Sequence, residues 1–157
     1  MKVVIQRVLR ASVEVEGRKV ASIERGLLTL LGVESADTFA TAERMMERIA
    51  KLRIFPDSLG KMNSSLSEVR GEHLLVSQFT LLADLRKGNR PSFTGAGSPD
   101  HAVSVFEHAV NCSRSLGLKT QSGVFQADMK VELVNDGPVT FVLDLAGESP
   151  HREIALK

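Results

Sequence analysis

The chain has no tryptophan, no tyrosine and one cysteine, Cys112, in 157 residues. A single cysteine excludes an internal disulfide framework and suits a reducing cytosol. No apolar run approaches the roughly 18 residues that a membrane-spanning helix needs. The N-terminal stretch MKVVIQRVLRASVEV breaks its apolar residues with charges and glutamine, so it reads as a first strand and not as a signal peptide. Neither sign of charge dominates. Twenty Lys and Arg against 19 Asp and Glu leave +1, which argues against a general polyanion binder but leaves room for a local basic patch. The four histidines include none at metal-ligand spacing from a cysteine or carboxylate, so neither a metal nor a cofactor is expected. A P-loop, a GxSxG elbow, a dinucleotide fingerprint and paired acids for hydrolysis are also missing.

What is present has the length and composition of one ordinary soluble domain. Lys2 to Glu16 carries a broken alternation (Val3, Ile5, then Val8, Ala11, Val13), the pattern of a long strand with a bulge or of two strands bent near Arg10. Lys19 to Ile23 returns as a short strand, and the apolar run LLTLLGV at 27–33 reads as a central one. Three strands before any helix exclude a plain βαβαβ start. The spacing predicts a helix over Asp37 to Arg53, capped by Ser35 or Asp37, and a second over Pro99 to Ser115 behind a Ser98-Pro99 start. Residues 53–71 and 119–128 read as links. HLLVSQFT, His73 to Thr80, reads as a buried strand with a polar end, in which alternation makes Phe79 core. Met129 to Val134 and Val139 to Leu145 flank Asn135-Asp136-Gly137-Pro138, where Asp-Gly predicts a hairpin turn that Pro138 complicates by lacking an N–H. Ala146 to Lys157 reads as a loosely held tail.

Chemistry must therefore come from an unusual set. Ser77, Gln78 and Thr80 place two hydroxyls and an amide at a strand end, Arg86, Lys87 and Arg90 form a nearby basic loop, and Gly137-Pro138 presents bare backbone carbonyls. Each alone has a plain structural explanation: capping, solvated surface, a tight turn. Together they suit a small substrate carried on a nucleic-acid end.

The pieces RVLRASVEVEG, GLLTLLGV, RIFPDSLGKMN, LLVSQFTLLAD, RPSF and NDGPVTF resemble the D-aminoacyl-tRNA deacylases over residues 1 to about 145, and the SQFT and NxGPVT pair, sixty residues apart, is specific to that family. The resemblance implies an α+β fold, a compact barrel-like mixed or antiparallel sheet with two main helices, as a single domain at 1–145. It implies a homodimeric, cytoplasmic hydrolase that cuts the ester between a D-amino acid, or mischarged glycine, and the 3′-terminal adenosine of tRNA. It implies that Ser77, Gln78, Phe79 and Thr80 form the catalytic motif, with Gly137 and Pro138, cis-linked, inserted from the other subunit as a chirality filter. Arg7 would orient that loop, Phe125 and Met129 would sit near the adenosine and aminoacyl pocket, and Arg86, Lys87 and Arg90 would contact tRNA. Two rival readings remain: a non-catalytic RNA-binding module using the basic loop, and a hydrolase of small esters with no need of it.

Overall fold

The computed structural model describes residues 1–86 and 88–145. Lys87 and the expected tail at 146–157 lie outside the described residues. The element order is β1 (Lys2–Val15), β2 (Arg18–Ile23), β3 (Gly26–Gly32), α1 (Phe39–Ala50), β4 (Phe55–Pro56), β5 (Met62–Ser64), β6 (Glu72–Ser77), a 3-10 turn (Phe79–Leu82), α2 (Pro99–Ser115), β7 (Lys119–Ser122) and β8 (Lys130–Asp144). The α+β class and the two main helices are as expected.

β1 organises the sheet. One edge is shared by β3, paired at residues 2–8, and β2, paired at 11–15, while β8 runs antiparallel along the other from Lys2 to Glu14. β6 then pairs in parallel with β3, and β7 in parallel with β6. The sheet curls until Gln121 of β7 hydrogen-bonds both backbone groups of Ser22 on β2, which nearly closes a barrel. Two cores result. Val8, Ala11, Val13, Leu28, Leu74 and Val76 fill the inside of the curl, while Val3, Ile5, Leu27, Leu31 and Leu75 face the α1–α2 layer. The broken alternation in β1 is this change of core, made at irregularities between Gln6 and Arg10. Gly26 is required where β3 meets β6, because a Cβ there would stand 1.8 Å from the Glu72 carbonyl oxygen.

Several boundaries move. α1 begins at Phe39 behind Thr38, whose hydroxyl accepts from the Thr41 N–H in a reciprocal capping box. Asp37 serves elsewhere: it binds the Met1 ammonium at 2.7 Å and the Glu34 N–H. Burial raises its carboxyl above the usual range, against those hydrogen bonds. The link at 119–128 contains β7, and the link at 53–71 contains the small β4–β5 pair. Polar sequence conceals β7, and a turn-rich setting conceals the β4–β5 pair.

The expected hairpin at Asp136-Gly137 does not form. Both flanking runs belong to one strand, β8, and both pair with β1. Gln6 faces Thr140 and Val8 faces Asn135, so Asp136, Gly137, Pro138 and Val139 all lie opposite Arg7 alone. Four residues against one make a large bulge, beyond the usual two against one.

A buried polar chain ties α2 to the sheet. His73 Nε2 meets Thr29 Oγ1 at 2.9 Å, and His73 Nδ1 meets Ser113 Oγ at 2.8 Å. Ser113 Oγ meets Thr120 Oγ1 at 2.8 Å, and Thr120 Oγ1 donates to the Leu118 carbonyl at 3.0 Å. Because that carbonyl only accepts, Ser113 donates to Thr120 and His73 Nδ1–H to Ser113; with the buried ring neutral, Thr29 donates to His73 Nε2. The imidazole is held neutral, and burial pushes its pKa from 6.5 to about 3. Below pH 6.5 the unfolded chain takes a proton that the folded chain refuses, so stability falls with pH until about 3. His73→Gln should remove this contribution, up to about 1.4 kcal/mol per pH unit, from the acid limb of urea-denaturation stability. An unchanged limb would show that His73 does not drive it.

Candidate active site

β6 ends at Ser77, and the chain turns at once into the 3-10 segment Phe79–Leu82. The polar end of the expected strand is therefore a strand-to-turn junction. Phe79 is not core, as alternation predicted, but 60% exposed, and its ring packs edge-on against Phe93 with centroids 5.0 Å apart. The Gln78 N–H is spent on the Leu31 carbonyl at 2.8 Å. The amides of Phe79 and Thr80 open the turn and find no acceptor among the described residues, as the first N–H groups of a helical turn do. The Gln78 side-chain amide is hydrogen-bonded to Thr80 Oγ1.

This junction forms the mouth of a cleft of about 480 Å³. Ser77, Gln78 and Phe79 line it together with Phe125 and Met129 and with Ala96, Gly97 and Pro99. Gln126 holds the rim with a φ of 62°, unusual for a side-chain-bearing residue. Thr80 is exposed and is not among the lining residues. Among the described residues no histidine lines the cleft, and the single carboxylate that does, Asp128, is exposed and lies 2.9 Å from Lys130 Nζ. The expected grouping of Ser77, Gln78 and Phe79 with Phe125 and Met129 thus exists within one chain.

Gly137 and Pro138 lie elsewhere. From Met129, in the cleft wall, to Asp136 is seven steps of strand, roughly 23 Å along β8. The Gly137-Pro138 bond is cis, and both residues are exposed. Gly137 has a φ of 137°, and a Cβ on it would stand 2.6 Å from Val139 Cγ2, so only glycine fits. Asn135 braces the bulge: its Oδ1 accepts from the Val139 N–H at 2.7 Å, and its Nδ2 donates to Val139 O and Thr140 Oγ1. Arg7 closes it from the other side. Its Nε donates to the Asp136 carbonyl at 3.2 Å and meets the Asp136 carboxylate at 3.0 Å, while Nη1 donates to the Ile54 carbonyl at 2.6 Å.

The basic loop is less available than its sequence suggests. Arg86 is joined through Nε and Nη2 to both oxygens of Asp84, and those hydrogen bonds hold the Asp84 carboxyl at about 2. Arg90 is exposed. Away from the cleft, His108 and Cys112 stand one turn apart on α2, facing Glu43 of α1. The expectation that no histidine has ligand spacing to a cysteine overlooked this pair, and no sequence signal brought Glu43 to it.

Fold and cleft define an α+β protein with a nearly closed sheet and a small-ligand cleft at the end of a parallel strand. The D-Tyr-tRNA(Tyr) deacylase family model matches residues 4–144. A D-aminoacyl-tRNA deacylase of Geotalea uraniireducens (strain Rf4) is 54% identical over 144 residues, covering 92% of this chain and 93% of that protein. One from Geotalea daltonii (strain DSM 22248 / JCM 15807 / FRC-32) is 53% identical over 153 residues, covering 98% and 99%. The solved c-Myc DNA Unwinding Element Binding Protein superimposes with a TM-score of 0.87 at 39% identity, covering 93% of this chain and 99% of that one. The chain belongs to the D-Tyr-tRNA(Tyr) deacylase family.

Arg7→Gln should cost roughly 2–4 kcal/mol in urea denaturation, since it strands two carbonyls and the Asp136 carboxylate. Lys2→Ala breaks only the longer pair with exposed Asp144 and should cost under about 1 kcal/mol. Equal costs would show that Arg7 does not anchor the bulge.

Proposed function

We propose that the chain is a D-aminoacyl-tRNA deacylase. It hydrolyses the ester between a D-amino acid and the 3′-terminal adenosine of tRNA, and it accepts glycine mischarged on tRNA as well. It works in the cytoplasm as a homodimer in which each cleft is completed by the Gly137-Pro138 bulge of a second copy. The observation that carries the shared site is the separation within one chain of the cleft from the bulge. Both are exposed, and among the described residues the far edge of β8 is unpaired, with Phe141 and Val142 exposed beside the bulge.

The chemistry follows from what the cleft has and lacks. An aminoacyl ester is already activated, so the site needs to position it and to stabilise the tetrahedral oxyanion. The unpartnered N–H groups of Phe79 and Thr80 are suited to that oxygen. Among the described residues no imidazole lines the cleft to activate the Thr80 hydroxyl as a nucleophile, so water, oriented by the substrate's own 2′-hydroxyl, attacks the carbonyl carbon. Phe125 and Met129 give the adenosine and aminoacyl group an apolar wall. The Gly137 and Pro138 carbonyls of the second copy receive the substrate ammonium, and their backbone leaves no space for an L side chain. Glycine has no side chain to reject, so it passes. Rejection of this kind is steep because nothing compensates for the displaced contacts.

The Arg86–Asp84 pairing makes exposed Arg90 a better tRNA contact than Arg86. The rival reading as a non-catalytic RNA-binding module has no use for a cleft of this shape.

Deacylation of matched D-, L- and glycyl-tRNA by the purified chain tests the reading: D and glycine should be released, and L spared. Binding without release would overturn it. Thr80→Ala should retain appreciable D-aminoacyl-tRNA hydrolysis, within about tenfold of the parent. Complete loss in a protein with an unchanged urea midpoint would make Thr80 the nucleophile.

A further inference from the structure

Outside the cleft, one group of side chains has no part in deacylation. Glu43 on α1 and His108 and Cys112 on α2 converge where the helices pack, with a carboxylate oxygen, an imidazole nitrogen and the sulfur all within 4.8 Å of one another. His108 and Cys112 share a face because they are four residues apart. Glu43 Oε1 already lies 2.9 Å from His108 Nε2. Phe39 stacks on the imidazole, centroids 4.4 Å apart and planes 17° from parallel, which restrains the ring. Glu43 is exposed and the other two are half-buried, so an ion has access from solvent.

We propose that Glu43, His108 and Cys112 form a zinc site that pins α1 to α2. Nitrogen, sulfur and oxygen together are a donor set for zinc, and a thiolate disfavours magnesium and calcium. Three protein ligands leave a fourth, solvent-facing position for water. Zinc bonds of about 2.0–2.3 Å put tetrahedral donors roughly 3.3–3.8 Å apart. The Glu43–His108 contact therefore opens slightly and the sulfur closes, both within the reach of side-chain torsions. A plain surface ion pair beside a thiol explains the His108–Glu43 contact but not the third donor or the stacked ring. Because the ligands come from two helices, zinc binds the docked pair and stabilises the folded chain.

Calorimetric titration of the full chain with Zn²⁺ should give one ion per chain with a micromolar or tighter dissociation constant. Titration with Co²⁺ should give a thiolate-to-metal charge-transfer band. Glu43→Gln, His108→Gln and Cys112→Ser should each weaken zinc binding by at least roughly tenfold. Cys112→Ser should also abolish the cobalt band. All three positions are partly exposed, so the variants should unfold like the parent in the absence of metal while losing the zinc-dependent rise in Tm. Unsaturable binding in the parent, or binding undiminished in His108→Gln and Cys112→Ser, would overturn the site.

Discussion

The structure depends on a mismatch in length between two strands that are nevertheless paired. β8 pairs with β1 on both sides of residues 136–139, so those four residues must leave the ladder opposite a single one. That one is Arg7. Its buried guanidinium supplies the donors that the extruded backbone needs and links them to the Ile54 carbonyl below. Without it, the bulge would lose the side-chain donors that tie the Asp136 carbonyl to the body of the fold. Asn135 makes the same argument from the other side, by binding both backbone groups of Val139.

The rest of the fold supplies rigidity to the second half of the site. β6 is buried on both faces and locked to α2 through the His73–Ser113–Thr120 chain, so Ser77 and the turn after it start from a fixed point. A cleft with no histidine and one solvated carboxylate among the described residues has little general-base chemistry to offer. On the proposed reading it needs little, because the substrate brings an activated ester and a neighbouring hydroxyl. Preorganised N–H groups and a rigid filter suffice.

Much of the fold was legible from local pattern. The second helix is found at its predicted bounds because Ser98-Pro99 and Gly117 mark both ends. β1 declared its change of core through the slip from Val3 and Ile5 to Val8. What failed depended on distant partners. Asp136-Gly137 has the chemistry of a hairpin, and only pairing of both flanks to β1 turns it into a bulge. β7 is polar because it is a short edge strand, and polarity concealed it. Alternation continued past Ser77 points Phe79 into the core, but the chain has already left the strand there. The motif residues themselves, SQFT and GPVT, stood out by family resemblance. Their physical roles did not, because free amides and separation in space are properties of the folded chain.

The central claim is that one cleft is built from two copies of the chain. Its most direct test is complementation between a chain carrying Phe79→Ala and Ser77→Ala and a chain carrying Gly137→Val. Each defective homodimer should be nearly inactive on D-aminoacyl-tRNA. Subunit exchange between them should restore activity, because a mixed dimer contains one cleft and one bulge that are both intact. Two inactive parents whose mixed dimers form but remain inactive would contradict a shared site.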